Sequence, residues 1–276
     1  MSKLPFYIVD SFTAAQFHGN PASVCLLERE IPESTMQAIA SEMNHSETAF
    51  ALPVDGSPGV ASRFSLRWFT PEVEVPLCGH ATLATAVVIL RALGNPAGTI
   101  QFKTKSGELS ARREGTGIAL DFPAEVCEPA KVAPEVCAAL GAREVKGAWC
   151  ARGDRNLLLE LGSEAEVRGL APDFPRLRAA RGEAHFLGVI VTAAGSGGFD
   201  FVSRYFAPWI GIDEDPVTGA AHCALAPYWW RRTGKREMRA YQASLRGGEM
   251  TVRLKGNRVE LVGEAVIVAE GTLRLE

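Results

Sequence analysis

The sequence predicts an α+β protein made of two copies of one β-rich unit, each with a central helix. Three observations point there. Phe69-Thr70-Pro71 ends an extended segment, Cys78-Gly79-His80 makes a tight turn, and Ala81–Leu93 is an apolar helical stretch closed by Gly94, a residue type common just past helix ends. The second half repeats this arrangement: Phe206-Ala207-Pro208, then Asp215-Pro216-Val217-Thr218-Gly219-Ala220-Ala221-His222, then an apolar helix closed by Gly234. Flanking segments echo in the same order. Gly107-Glu108-Leu109-Ser110-Ala111-Arg112 is matched by Gly248-Glu249-Met250-Thr251-Val252-Arg253, and Gly19-Asn20-Pro21 before an apolar strand by Arg155-Asn156 before Leu157–Leu161. The offsets are all roughly 136–141 positions, about half the chain, which is the mark of an internal repeat rather than of shared residue types. Two such helix starts are expected to face each other across a cleft, a natural place for a small anionic substrate.

Bulk properties fit two lobes. The chain has 276 residues, 47% of them hydrophobic, enough for a packed core in each half. The boundaries expected are 1–122 for the N-terminal lobe and 123–264 for the C-terminal one; a return of the last strand, about 265–276, to the N-terminal lobe stays open. The formal net charge is −3 and the basic residues are dispersed, which argues against nucleic acid as a partner. No stretch reads as a signal peptide or is apolar enough to span a bilayer, so no membrane association is expected and the location expected is cytoplasmic. The six cysteines form no C-x-x-C pair and read as reduced thiols, with neither a disulfide framework nor a zinc site.

In chain order, Phe6–Asp10 and Ala22–Leu27 read as strands joined by a turn at Phe17–Pro21, and Ser34–Met43 as a helix with Met36, Ile39, Ala40 and Met43 on one face. A strand starts at Thr48, and Ser62–Phe69 leads to the central motif. Thr99–Lys105 and Gly107–Arg113 form a hairpin, followed by strand Ile118–Phe122. Pro123–Pro134 is the expected crossover between lobes, and Pro134–Leu140 a short helix. Strands follow near Val145–Ala151, Asn156–Leu161, Phe186–Thr192 and Phe199–Phe206, with Gly195-Ser196-Gly197-Gly198 as a hairpin turn. Arg176, Arg178 and Arg181 belong to the solvated face of a helix. Beyond the second central helix come strands near Ala240–Leu245, Met250–Leu254, Val259–Val262, Ala265–Ala269 and Thr272–Leu275.

Three residues are candidates for chemistry. Glu47 stands at the start of an apolar strand with few other charges nearby; partial burial would raise its pKa and suit it to act as a general base, although a hydrogen-bonded structural glutamate is the plainer reading. His80 sits at the first helix start, whose positive dipole end disfavours the protonated ring. Asp215 precedes the second helix start, where it could bind an ammonium group or share a proton with His80; for a histidine or aspartate in such a place, capping is the alternative. Asn20 could bind substrate through its amide or simply form the turn before Pro21. The backbone N–H groups near Gly79 and Gly219 are candidates for holding a carboxylate, with Cys78 and Ala220 beside them. There is no G-x-G-x-x-G after a strand, no P-loop and no G-x-S-x-G elbow. The five histidines, His18, His45, His80, His185 and His222, show no metal-binding spacing, so neither a metal nor a cofactor is expected.

These motifs together resemble the PhzF, or phenazine biosynthesis-like, family: Val9-Asp10-Ser11-Phe12-Thr13 with Phe17 and Gly19-Asn20-Pro21, Ser46-Glu47-Thr48-Ala49-Phe50, Phe69-Thr70-Pro71 through Cys78-Gly79-His80-Ala81-Thr82, and Glu214-Asp215-Pro216-Val217-Thr218-Gly219. The resemblance implies the diaminopimelate epimerase fold, with two pseudo-symmetric lobes, each a β-barrel-like sheet around a central helix. It also implies a cofactor-independent isomerase acting on a small carboxylate-bearing substrate, commonly as a homodimer. It assigns proton transfer to Glu47 and places His80 and Asp215 in the site. One position departs: Ala220 stands where the isomerase that names the family often has serine, which argues against that enzyme's dihydro-hydroxyanthranilate substrate. Two alternatives come with the fold. An amino-acid epimerase or racemase would need paired thiols, for which Cys78 is placed, but the second helix start has none and Cys223 lies about a turn further in. The other is a non-catalytic binding protein.

Overall fold

The structure, a computed structural model, describes residues 2–151, 156–180 and 186–275. Of the residues named above, Arg155, Arg181 and His185 lie outside these. The chain divides into two compact units, 1–121 with 261–276, and 122–260.

In the first unit, β1 (Ser2–Ser11) pairs antiparallel with β2 (Asn20–Leu26), and β2 pairs in parallel with β3 (Thr48–Pro53). A parallel pair needs a crossover. Here it carries α1 (Glu33–Met43), whose Met36, Ile39 and Ala40 pack with Leu4, Cys25, Phe50 and Phe69. β3 runs antiparallel to β4 (Arg63–Phe69), and the short β5 (Glu74–Val75) folds back on β4. Then comes α2 (Gly79–Val87), every residue of which is buried, as expected of a helix apolar all round. Thr82 and Thr85 satisfy their hydroxyls by donating to the carbonyls of Cys78 and Ala81, four residues back. The predicted uninterrupted helix to Leu93 differs in its last turn. Val88–Ala92 is a π turn, with the Leu93 N–H donating to the Val88 carbonyl at 3.0 Å, and Gly94 follows at φ 62°. β6 (Thr99–Thr104) returns parallel to β4, and β6, β7 (Gly107–Glu114) and β8 (Gly117–Pro123) form a meander.

The second unit repeats this order. β9 (Cys127–Pro129) lies in the segment expected to be a plain crossover; it pairs with β10 (Val145–Ala151), which gives its backbone groups partners. α3 (Pro134–Leu140) ends at Gly141, φ 75°. β10 pairs antiparallel with β11 (Asn156–Leu161). Two helices lie in the crossover that follows. α4 (Glu164–Gly169) is capped by the Ser163 hydroxyl, and α5 (Phe174–Ala179) by the Asp173 carboxylate, with Arg176 and Arg178 exposed on α5. β12 (Gly188–Ala194) lies parallel to β11 and antiparallel to β13 (Phe201–Ala207). β14 (Ile212–Asp215) folds back on β13, and α6 (Gly219–Thr233) closes at Gly234, φ 75°. β15 (Glu237–Gln242) returns parallel to β13 and antiparallel to β16 (Gly248–Lys255). β17 (Arg258–Gly263) leads out of the unit.

β18 (Ala265–Leu275) returns to the first unit and pairs with β1 along its whole length. Two strands were expected here, split near Gly271. The strand is continuous because the glycine serves packing rather than a break: a Cβ at Gly271 would sit 2.6 Å from the Phe6 ring. Among the described residues no helix is long and apolar enough to cross a membrane. The fold is α+β, and each unit wraps mixed strands around one apolar helix.

Candidate active site

Three strands of the first unit bring their ends together at the start of α2. The end of β1 is tied to it by the Ser11 hydroxyl, which donates to the His80 carbonyl at 2.8 Å. Asn20 opens β2 and is fully buried. Ser46 and Glu47 immediately precede β3, whose parallel pairing with β2 brings the Ser23 N–H to the Glu47 carbonyl.

The loop from Phe12 to Gly19, which delivers Asn20, is built under tension and held by specific contacts. Phe12 and Phe17 have φ of 62° and 67°, a region that costs a non-glycine residue about 1 kcal/mol or more. The buried Asp10 carboxylate accepts from the Phe17 N–H at 2.6 Å, a charge-assisted bond of the strength needed to offset that cost. Gly19, φ 65°, passes so close to β1 that a Cβ would lie 2.1 Å from the Ser11 carbonyl oxygen.

Geometry assigns the His80 ring. The Ser46 hydroxyl donates to Asn20 Oδ1 at 3.4 Å, so Asn20 turns its amide nitrogen to His80 Nδ1, 3.2 Å away. Nδ1 is therefore an acceptor and Nε2 carries the proton. Nε2 lies 3.3 Å from a Glu47 carboxylate oxygen and 3.2 Å from the Ser46 hydroxyl. Burial, and secondarily His45 nearby, push the His80 pKa down to about 3, so the contact to Glu47 is a hydrogen bond from a neutral imidazole rather than an ion pair. The sequence predicted the neutral ring from the helix dipole; burial is the larger cause. His45 itself meets the Ser23 hydroxyl at 2.7 Å. Cys78 Sγ lies 3.5 Å from His80 Nδ1. The Glu47 side chain keeps 14% of its surface exposed beside a ring with 4%. A carboxylate accessible to a small molecule, fixed by a neutral N–H donor and backed by an apolar helix, is equipped to take and return a proton.

The chain matches the family model described as phenazine biosynthesis-like protein over residues 9–271. It belongs to the PhzF family. A mouse protein named phenazine biosynthesis-like domain-containing protein 2 is 47% identical, the match covering 98% of this chain and 99% of that one. A Pseudomonas aeruginosa protein described as an uncharacterized isomerase is 45% identical over 99% of this chain and 100% of its own. A crystal structure of a PhzF family protein from Enterococcus faecalis is similar with a TM-score of 0.91 and 42% identity, covering 99% of this chain and 100% of that one.

The second candidate cluster of this PhzF family chain lies in the second unit. Asp215 ends β14, and its carboxylate accepts from the Thr218 hydroxyl at 2.5 Å. Thr218 caps α6; its N–H donates to the Gln242 amide oxygen at 2.9 Å, and the Gln242 amide nitrogen donates to the Asp215 carbonyl at 2.7 Å. His222, buried and pushed down to about 4 by burial, donates from Nδ1 to the Thr218 carbonyl at 2.8 Å. Gly219 and Ala220 open the helix with no side-chain polar group, and Cys223 is buried.

Of the predicted site residues, Asn20, Glu47, Cys78, Gly79 and His80 come together in the first unit; Asp215, Gly219 and Ala220 come together in the second. Ser46, Ser23, Thr218 and Gln242 were not singled out from the sequence. Ser46 was within reach, as the neighbour of Glu47 in a quoted motif. Gln242 was not, since only the parallel pairing of β15 with β13 brings it to Thr218. Nor did sequence spacing suggest a metal cluster, yet the donor atoms of Glu47, Cys78 and His80 all lie within 4.8 Å of one another. A groove of about 600 Å³ on the outer face of β4 and β6, lined by Arg63, Ser65, Arg67 and Lys103 among others, contains none of these residues.

Proposed function

We propose that this PhzF family protein is an isomerase that moves a proton within a small carboxylate-bearing substrate, with Glu47 as the acid/base and no resident cofactor. The observation that carries the reading is the Glu47–His80 pair: a partly exposed carboxylate 3.3 Å from the Nε2–H of a buried neutral imidazole. Membership of the family and the isomerase name of the Pseudomonas relative support the reaction class. Glu47 removes a proton from a carbon acidified by a neighbouring carbonyl or unsaturated group and returns it elsewhere on the same skeleton. His80 holds the carboxylate in one orientation in both of its protonation states, while Asn20 and Ser46 hold the ring. The N–H groups at the start of α2 are the proposed anchor for the substrate carboxylate. Asp215 is proposed as the residue that fixes the start of α6 through Thr218.

An amino-acid epimerase is the second reading, favoured by Cys78 beside His80. It lacks a partner thiol in its own unit's cluster, and the α6 start offers only the buried Cys223. Both readings are tested by incubating the protein with a panel of small unsaturated and amino carboxylic acids in deuterium oxide. Incorporation of deuterium, or positional isomerisation, that vanishes in Glu47→Gln supports the first; incorporation at an amino-acid α-carbon that survives in Glu47→Gln and vanishes in Cys78→Ala supports the second.

A further inference from the structure

We propose that Glu47, Cys78 and His80 form a binding site for a soft divalent cation of the zinc or cadmium kind, and that its occupation takes Glu47 out of use. The donor set is the argument. A carboxylate oxygen, a thiol sulfur and an imidazole nitrogen are zinc ligands, whereas magnesium and calcium call for oxygen throughout. Metal–ligand distances of about 2.0–2.3 Å place neighbouring donors of a tetrahedral ion roughly 3.3–3.8 Å apart. In the ion-free geometry the Glu47 oxygen is 3.3 Å from His80 Nε2, and one donor atom from each of the three residues lies within 4.8 Å of the other two, while Cys78 Sγ rests nearer the other ring nitrogen, 3.5 Å from Nδ1.

The surroundings suit such an ion. Asn20 touches the ring at Nδ1, which leaves Nε2, the nitrogen facing Glu47, as the ligand, and it orients the imidazole from behind as outer-shell partners of metal-bound histidines do. Cys78 stands at the N-cap position of α2, and binding requires its thiol to turn from Nδ1 toward Glu47. The exposed part of Glu47 gives the ion its route from solvent. Three protein ligands leave a fourth position open to water. The proton balance is explicit. The Cys78 thiol gives its proton to solvent. The Nε2 proton of His80 is replaced by one on Nδ1, which then donates to the Asn20 amide oxygen after that amide turns over. One proton is released for each cation bound.

Binding stands apart from the proposed isomerase reaction; only the expected inhibition rests on Glu47 being its base. The test therefore reads the metal–thiolate bond. Metal-free protein is titrated with cadmium while the thiolate-to-cadmium absorbance in the ultraviolet and the protons released into weak buffer are followed. The expected result is a band saturating near one equivalent, with about one proton released, displaced by zinc and erased by a chelator. Cys78→Ser should remove the band, and Glu47→Gln and His80→Asn should each weaken binding about tenfold or more, the scale of losing a ligand or its support. An unchanged band in Cys78→Ser would assign it to another thiol, such as the half-exposed Cys137 or Cys150, and overturn the proposal. So would undiminished affinity in both Glu47→Gln and His80→Asn, or no band with stoichiometric cadmium.

Discussion

The two units share one pairing order and differ in what stands at their helix starts. In the first, β3 pairs with β4 through Thr48 and Phe69; in the second, β12 pairs with β13 through Val189 and Phe206. Those registers put Gly188 where the first unit has Glu47, just as Gly219 and Ala220 stand where it has Gly79 and His80. The space is not left open. The Tyr205 ring lies over Gly188, where a Cβ would be 2.3 Å from the hydroxyl, and that hydroxyl donates to Asn156 at 2.9 Å. By the same registers Asn156 stands where the first unit has Ala22, and the first unit's buried amide, Asn20, two residues earlier on β2, meets the His80 imidazole instead. At the second helix start, Asp215, Thr218 and Gln242 satisfy one another. One scaffold thus occurs twice in the chain, once with a carboxylate–imidazole pair at the helix start and once with that place filled by a tyrosine and a hydrogen-bonded turn. The two units keep the same strand pairing while differing in the side chains at these strand and helix ends.

The comparison can be broken where each unit is most tightly built. The largest effect is expected from Gly19→Ala, which puts a Cβ against the Ser11 carbonyl at a φ of 65° and should destabilise the protein by about 3 kcal/mol or more. Urea denaturation reads this, and a wild-type midpoint would show that the loop carrying Asn20 is not held as described.

Acid should act next. His222 has its pKa pushed down to about 4 by burial, below the ordinary unfolded value of about 6.5. Between these values the unfolded chain binds a proton that the folded one does not, so stability is full above about pH 6.5 and falls as pH drops toward about 4. The loss expected from this group between about pH 7 and pH 5 is about 2 kcal/mol. Urea midpoints across this range should fall less steeply in His222→Gln, which can still donate to the Thr218 carbonyl; an unchanged slope would remove His222 from the account.

A smaller pair of effects separates the two asparagines. Tyr205→Phe leaves the buried Asn156 oxygen short of its donor and should cost about 1–2 kcal/mol of stability with turnover kept. Asn20→Ala lets the His80 ring turn and should lower turnover about tenfold or more with a smaller change in stability. The reverse pattern would mean that the second unit's cluster, not the first's, governs the reaction.

Much of this was legible in the sequence because the signals are local. Gly94, Gly141 and Gly234 sit at positive φ just past helices, as their type predicts. The echo of Phe69-Thr70-Pro71 by Phe206-Ala207-Pro208 marks the same strand end in both units. Helix α4 was missed although Ser163 and Glu166 form a capping signature: the Ser163 hydroxyl accepts from the Glu166 N–H, and the Glu166 carboxylate from the Gly162 N–H. Other features needed three dimensions. Nothing near Gly188 in sequence says that it replaces a glutamate; only the register does. Gly271 looked like a break because the Phe6 ring that occupies its face lies across the β1–β18 pair. The hydrogen bonds that fix the His80 tautomer join residues 20, 46, 47 and 80, and the proposed metal-ligating set joins 47, 78 and 80, so no spacing rule could reveal either.

The central claim is that the glutamate of the first unit moves the proton. The measurement is turnover by Glu47→Gln, alongside its binding of a carboxylate ligand and its thermal stability, on the substrate that the deuterium panel identifies. Glutamine keeps the size of the side chain and can still accept from the His80 Nε2–H, but it cannot take a proton. Turnover should fall about 10²-fold or more while ligand binding and stability change far less, because the proposed anchor is the α2 N–H groups rather than Glu47. A Glu47→Gln protein that is stable and fully active, or one that loses stability, binding and turnover together, would contradict the account.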